Sequence, residues 1–432
     1  MAYLGPDEII RKKAEFQIPC SYHFYQRPPQ LVQGRMQYLF DSGGQSYVDF
    51  FGGVAVMNCG HCNPDILGPA IKQMQQLQHT TSIYLTEPAV RLAEALKDVS
   101  PGELGHSFFC STGSEANEGA LLLAELYTGR SEFIALDLGL HGRTRLTMSA
   151  TGIGMWRATN HPSGGIHFAP SPYCYRCPYD KTPDTCGFLC VQAVKALIER
   201  RNPRHIAAMI CEPIQGNGGI IVPPMGYFQA LKNVLDAYEI PLIMDEVQTG
   251  FARTGKMFAT QHFGVEPEIM TMAKALGNGF PISAFITTPA LAKSFTTPSA
   301  STLGGNPVSA TAGLAVLDYI QKNGLAQRAE TLGKQLKDGL LALQKKFPQI
   351  GDVRGLGLMV GAELVGPNKA PAPKLCDQIL EVMKDRGFLV GKNGEHRNVL
   401  AFQPPLVIEP VDIDRLLKHL EGAFQEVAMD GL

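Results

Sequence analysis

No apolar run in the chain approaches the roughly 18 residues that a membrane-crossing helix needs. ALLLAEL and AAMIC are core-sized pieces. Charge of one sign is not in excess either. Lys and Arg number 38 against 40 Asp and Glu, a formal net charge of -2, so no broad field draws the chain to nucleic acid or to an acidic membrane. The opening MAYLGPDEIIRKKAEF lacks the hydrophobic segment of a secretory leader. It also lacks the Arg- and Ser-rich, acid-poor composition of an organelle transit peptide, so a cytoplasmic location is expected. No internal repeat or low-complexity tract is present, which excludes a solenoid. No P-loop and no G-x-G-x-x-G opens a helix after the first strand, so a nucleotide-binding reading has little support.

Cysteine is what the chain has in quantity, ten in all. Cys20, Cys59, Cys62, Cys110, Cys211 and Cys376 are scattered, whereas Cys174, Cys177, Cys186 and Cys190 cluster in YCYRCPYDKTPDTCGFLC as C-x2-C-x8-C-x3-C. Without an export signal, reduced thiols are the default. A structural zinc site would use such a set. The plainer alternative is a surface excursion with two cysteines in a turn and two on a following helix. No metal is expected among the catalytic groups.

With 432 residues, two or three domains are expected. YLFDSGGQSYVDFFGGVAVMN reads as two strands joined by a DSGG turn. From about residue 65, helix and strand alternate, with HSFFCS, EFIALD, IAAMICEP, PLIMDE, EIMTMAK and ISAFITT as strands. Such alternation predicts an α/β fold, a mostly parallel sheet covered by helices on both faces. From about residue 308 one long helical stretch leads into strand-like VRGLGLMVGAELV, a helix, a strand and a final helix. The expected organisation is an N-terminal segment over 1–60 that joins a small domain, a large domain over 61–315, and a C-terminal small domain over 316–432.

In doubly wound sheets, ligands bind at the carboxyl ends of strands, and three features collect there. Ser111-Thr112-Gly113-Ser114-Glu115 opens a helix after HSFFC. Small residues at a helix start let free N–H groups and the helix dipole hold an anion. Thr112 and Glu115 equally fit a capping box. Asp245 ends PLIMD; a buried carboxylate needs a partner, whether a structural cation or a protonated ring nitrogen on a ligand. Lys274 ends the next strand, before Gly277-Asn278-Gly279. Most lysines are solvated, but burial lowers the pKa and makes the amine a nucleophile toward an aldehyde. An anion cradle, a carboxylate and an amine are the three contacts that pyridoxal 5'-phosphate (PLP) requires.

These residues resemble a known family. DFFGGVAVMNCGHCNP, CSTGSEANE, LHGRT, CEPIQG, MDEVQTGFARTGKMFA, TMAKALGNGFPISA, STLGGNP and DVRGLGLMVGAEL resemble class III PLP-dependent aminotransferases of fold type I. The wording is similar to the alanine–glyoxylate (β-aminoisobutyrate–pyruvate) branch. The resemblance implies a seven-stranded-type sheet in the large domain and a homodimer with active sites at the interface. It implies Lys274 as the Schiff-base lysine and proton carrier, and Asp245 as partner of the pyridine nitrogen. Gln248 would bind the ring hydroxyl and Gly113 and Ser114 the phosphate, joined by Thr302 of the second subunit. Glu212 and His141 match residues near the cofactor, with packing an equal role for His141.

Three positions depart from that pattern. Leu140 stands where members commonly carry Tyr or Phe on the ring face, so the aromatic contribution of about 0.5–1.5 kcal/mol is missing and looser cofactor retention is expected. Asn217 and Ala401 stand where many relatives carry a Glu and an Arg that pair and release the Arg to grip an α-carboxylate. Both halves of that switch are missing, which disfavours 2-oxoglutarate. A small acceptor, pyruvate or glyoxylate, is expected, with an amino acid or an ω- or β-amine as donor. Arg143, Arg354 and Arg397 are the candidates for carboxylate binding. The same groups also serve an amino-acid racemase or epimerase, the alternative activity.

Overall fold

The computed structural model describes residues 3–159 and 163–430. Its centre is a seven-stranded sheet of β1 (His106–Cys110), β2 (Glu132–Leu136), β3 (Ile166–Ala169), β4 (Ile206–Cys211), β5 (Leu242–Asp245), β6 (Ile269–Met272) and β7 (Ser283–Thr287). The spatial order is β1-β7-β6-β5-β4-β2-β3. The pairs from β3 through β6 are parallel, while β7 runs antiparallel to both of its neighbours. Strands β4 to β7 are buried at every position, as the unbroken apolar runs IAAMIC and LIM require of a sheet covered on both sides. The α/β class expected from the alternation is what forms.

One cover is the helix Gly113–Thr128, which buries Ala116, Ala120, Leu121, Leu123 and Ala124. Ala and Gly within it let the helix lie close to the sheet: a Cβ on Gly119 would meet the Phe285 ring at 2.4 Å. It ends at Gly129, whose φ of 68° is the left-handed conformation that closes helices. Leu189–Arg201 and Tyr227–Ala237 pack against each other in a second layer.

The two chain ends meet. Tyr38–Asp41 and Ser46–Asp49 form a hairpin, and Phe388–Leu389 adds to it in parallel, with Phe388 opposite Val48. A third sheet joins Ile350–Leu356, Met359–Leu364, Val399–Phe402 and Gly391–Asn393. The single helical stretch expected after residue 308 is two helices, Pro307–Lys322 and Leu325–Lys346. They part at Gly324, whose φ is 58°. Apolar periodicity continues across the break because both helices feed one core, so the pattern conceals it.

Candidate active site

The carboxyl ends of the parallel strands open into a cavity of 510 Å³. Ser111 follows β1, Glu212 follows β4, Asp245 closes β5, and Ala273 and Lys274 follow β6; all five line it. Because β7 is antiparallel, it contributes from its amino end, where Gly279, Phe280, Pro281 and Ile282 complete the wall. The chain between β6 and β7 is held by Asn278. Its side chain accepts from the Cys59 N–H at 2.9 Å and donates to the Gly60 carbonyl at 2.9 Å. Lys274 and Asn278 both adopt positive φ, 43° and 45°, an unusual conformation for residues with side chains, and one that clusters at functional sites.

Asp245 is 3% exposed, and both of its oxygens are engaged. Oδ2 accepts from Asn117 Nδ2 at 2.7 Å and from His141 Nδ1 at 2.8 Å. Oδ1 accepts from the Val247 N–H at 3.1 Å. Asn117 is oriented in turn by the Thr271 hydroxyl, which donates to its Oδ1 at 2.6 Å, and it also donates to the His141 carbonyl at 2.6 Å. His141 Nε2 is buried without a partner, so the imidazole proton belongs on Nδ1, facing the carboxylate. Asn117 was not singled out in the sequence. It sits one turn into the helix that Gly113 opens, on the face toward β5.

The Lys274 side chain keeps some surface in the cavity, while its amine is enclosed by protein atoms. That enclosure lowers its pKa, against the opposing influence of Asp245 and Glu212. Glu212 is pushed up to about 7, first by burial and then by Asp245, with His141 pulling it down. Its two oxygens accept the N–H groups of Leu140 (2.9 Å) and Gly216 (2.8 Å). The site therefore holds an amine with reduced proton affinity beside two carboxyl groups.

The two readings of residues 111–115 are compatible. Thr112 and Glu115 form the reciprocal capping box, and Ser111, Thr112, Gly113 and Ser114 also line the cavity. The N–H groups of Gly113 and Ser114, in the first turn, have no intrahelical acceptor. Ser114 Oγ accepts the Arg143 N–H at 3.0 Å. A Cβ on Gly216 would come within 1.6 Å of Gln248 Oε1, so a bare backbone there is what lets Gln248 face inward.

Gly113, Ser114, Leu140, His141, Glu212, Asp245, Gln248 and Lys274 all line this one cavity; Thr302 is exposed and does not. Of the three candidate arginines, only Arg143 lines it. Arg354 is buried in bonds to Glu363, Asp352 and the Gly219 carbonyl. Arg397 donates to the Tyr22 hydroxyl. All ten cysteines are free. Cys174 and Cys177 lie in and just after a short turn, Cys186 precedes the helix Leu189–Arg201, and Cys190 lies within it. Among the described residues, no three His, Cys, Asp or Glu side chains are grouped to hold a metal ion.

A model of the aminotransferase class-III family matches residues 26–424. The chain belongs to the class III aminotransferases. It is 43% identical to the alanine–glyoxylate aminotransferase 2 homolog 2, mitochondrial, of Arabidopsis thaliana, over 98% of this chain and 89% of that one. It is also 37% identical to the leucine/methionine racemase of Thermococcus litoralis, over 98% of this chain and 96% of that one. The omega transaminase of Pseudomonas jessenii, solved in complex with PMP, superposes with a TM-score of 0.91 at 27% identity, covering 97% of this chain and 98% of that one. Class III aminotransferases are PLP-dependent enzymes of fold type I, and among the described residues of this one no helix is long and apolar enough to cross a membrane.

Proposed function

We propose that this aminotransferase moves an amino group from an amino acid or an ω- or β-amine to a small 2-oxo acid, pyruvate or glyoxylate. The observation that supports the reading is the convergence of Lys274, Asp245 and the Gly113–Ser114 helix start on one cavity. The residues fit PLP: an amine of lowered pKa for its aldehyde, a buried carboxylate for its ring nitrogen, and unsatisfied N–H groups for its phosphate. Bound there, PLP supplies a carbonyl that condenses with amines and a protonated ring that accepts the electron pair released at Cα.

With PLP bound, Lys274 would hold its aldehyde, and its Nζ would be the base that carries the substrate's Cα proton. Asp245, oriented by Asn117 and His141, would hold the proton on the pyridine nitrogen. Gln248 is assigned to the ring hydroxyl and Gly113 and Ser114 to the phosphate, with Thr302 reaching in from a second subunit. Leu140, in the cavity wall, would pack on the ring face. Glu212 fixes the segment that carries Leu140 through its bond to the Leu140 N–H. Arg143 is assigned to the substrate carboxylate, because Arg354 and Arg397 are engaged elsewhere. We also propose that the chain divides near residues 60 and 315 into a large PLP-binding domain and a small domain built from both ends; the pairing of Phe388 with Val48 supports joining those ends.

Borohydride reduction of the holoprotein followed by peptide mapping tests the core of this reading. Label on Lys274, with visible absorbance lost in Lys274→Ala, is the expected result; label elsewhere overturns it. Half-reaction spectroscopy tests the acceptor: pyruvate or glyoxylate is expected to convert the pyridoxamine form faster than 2-oxoglutarate does. The likeness to a leucine/methionine racemase favours one second reading, in which the Cα proton is replaced from the opposite face. Deuterium uptake with loss of optical activity and no keto acid would establish that outcome instead.

A further inference from the structure

Trp156, the one tryptophan in the chain, stands in the wall of the same cavity as Lys274 and Asp245. Its indole N–H donates to Asn217 Oδ1 at 2.6 Å. Tyr22 lies against it, with ring centroids 6.1 Å apart and planes 44° apart. Tyr22 in turn packs on Phe24 at 5.8 Å, and Phe24 on Phe51 at 5.6 Å. The Arg397 guanidinium covers both Tyr22 and Phe24, at 5.8 and 5.4 Å from their centroids. It also donates to the Tyr22 hydroxyl at 2.8 Å. Asn217 is itself anchored. Its carbonyl accepts the Gly394 N–H at 2.9 Å, and two residues on, the Gly219 carbonyl takes two bonds from Arg354, at 2.9 and 2.6 Å.

We propose that Trp156 is a specificity-determining wall of the site, with Asn217 and Tyr22 as positioning residues that hold its indole in one orientation. The inference rests on the transaminase reading above and names what limits the acceptor. An indole N–H facing a cavity needs an acceptor, and Asn217 supplies a neutral one. Swinging the ring aside breaks that bond and separates it from Tyr22, so the wall does not yield to a larger ligand. It offers no charge either: Arg397, the cation behind it, is turned onto Tyr22 and Phe24. A second carboxylate on the acceptor therefore meets an apolar face without a counter-ion, which burial penalises. The acceptor class that fits is a 2-oxo acid whose remaining substituent is compact and uncharged.

The holoenzyme is compared with Asn217→Leu, Trp156→Ala and the double variant. Because Trp156 is the single tryptophan, emission excited beyond the absorption of tyrosine reports on it alone. Asn217→Leu is expected to raise its acrylamide quenching constant at least about twofold, and to raise KM for pyruvate while kcat changes less than about twofold. Trp156→Ala is expected to shrink the kcat/KM preference for pyruvate over 2-oxoglutarate about tenfold or more. Adding Asn217→Leu to it is expected to change nothing further, since the two residues act as one unit. Unchanged quenching in Asn217→Leu overturns the lock. Multiplicative effects in the double variant, or an undiminished preference in Trp156→Ala, overturn the wall. If neither oxo acid reacts with any protein, the transaminase reading fails and the acceptor assignment falls with it, while the quenching arm still decides on the lock.

Discussion

Asp245 and Lys274 could be read from the sequence because each closes an apolar run, where a charged side chain must be explained. Their neighbour Asn117 could not. An asparagine on a helix is usually solvated, and nothing local says that this one donates to Asp245 at 2.7 Å across 128 positions of chain. Trp156 was equally hidden, since its partner Asn217 is 61 residues away. Glu212 carries a prediction at this scale. Burial holds its pKa at about 7, whereas in the unfolded chain it ionises in the ordinary carboxylate range. Below that range both states keep the proton. Between it and about 7 the unfolded state loses the proton and the folded state keeps it, so stability falls as pH rises, and above 7 the loss is complete. Glu212→Gln removes this dependence. In urea unfolding of the apoprotein, the variant's stability relative to wild type is expected to rise between about pH 5 and pH 7.5. A difference that is flat or declines across that interval would contradict the assignment.

Among the elements, the alternation of apolar strand runs with amphipathic helices made most of the central sheet legible. Strand β3 was not read. It has only four residues at the sheet edge, three of them partly exposed, and its His167 pairs with Glu132 of β2 at 2.7 Å, so it lacks the apolar run of a central strand. The third sheet reaches the cavity through Arg354. This buried guanidinium binds Glu363 and Asp352 at 2.8 and 2.7 Å and grips Gly219, while Tyr173 and Arg176 converge on the same Glu363. One cluster thus ties the cysteine-bearing excursion, the hairpin Ile350–Leu356 with Met359–Leu364, and the loop carrying Asn217. Arg354→Ala leaves Glu363 buried with less compensation and is expected to lower stability by about 3–5 kcal/mol, read as a fall in the urea midpoint. Loss below about 1 kcal/mol would show the cluster to be peripheral.

For the whole molecule, sequence pattern gives least, because a surface that pairs with a second copy looks like any other apolar segment until its exposure is known. Ile83, Tyr84, Leu85 and Val90 are 82%, 67%, 101% and 68% exposed, a concentration that scattered surface residues do not produce. It supports the proposed homodimer. Light scattering is expected to give twice the 46.9 kDa chain mass, and Leu85→Glu to weaken association at least about tenfold with a parallel loss of activity. A fully active monomer would refute the shared site. The antiparallel course of β7 has one more consequence. Met272 pairs with Ala284, so Lys274 rides on a hairpin whose two arms are neighbours in the chain. Contacts this local close early in folding, whereas Asp245 must wait for Asn117, more than a hundred residues upstream. The turn that carries the amine is thus a local structure, whereas the enclosure that lowers its proton affinity is assembled only when β5 and the helix Gly113–Thr128 close around it.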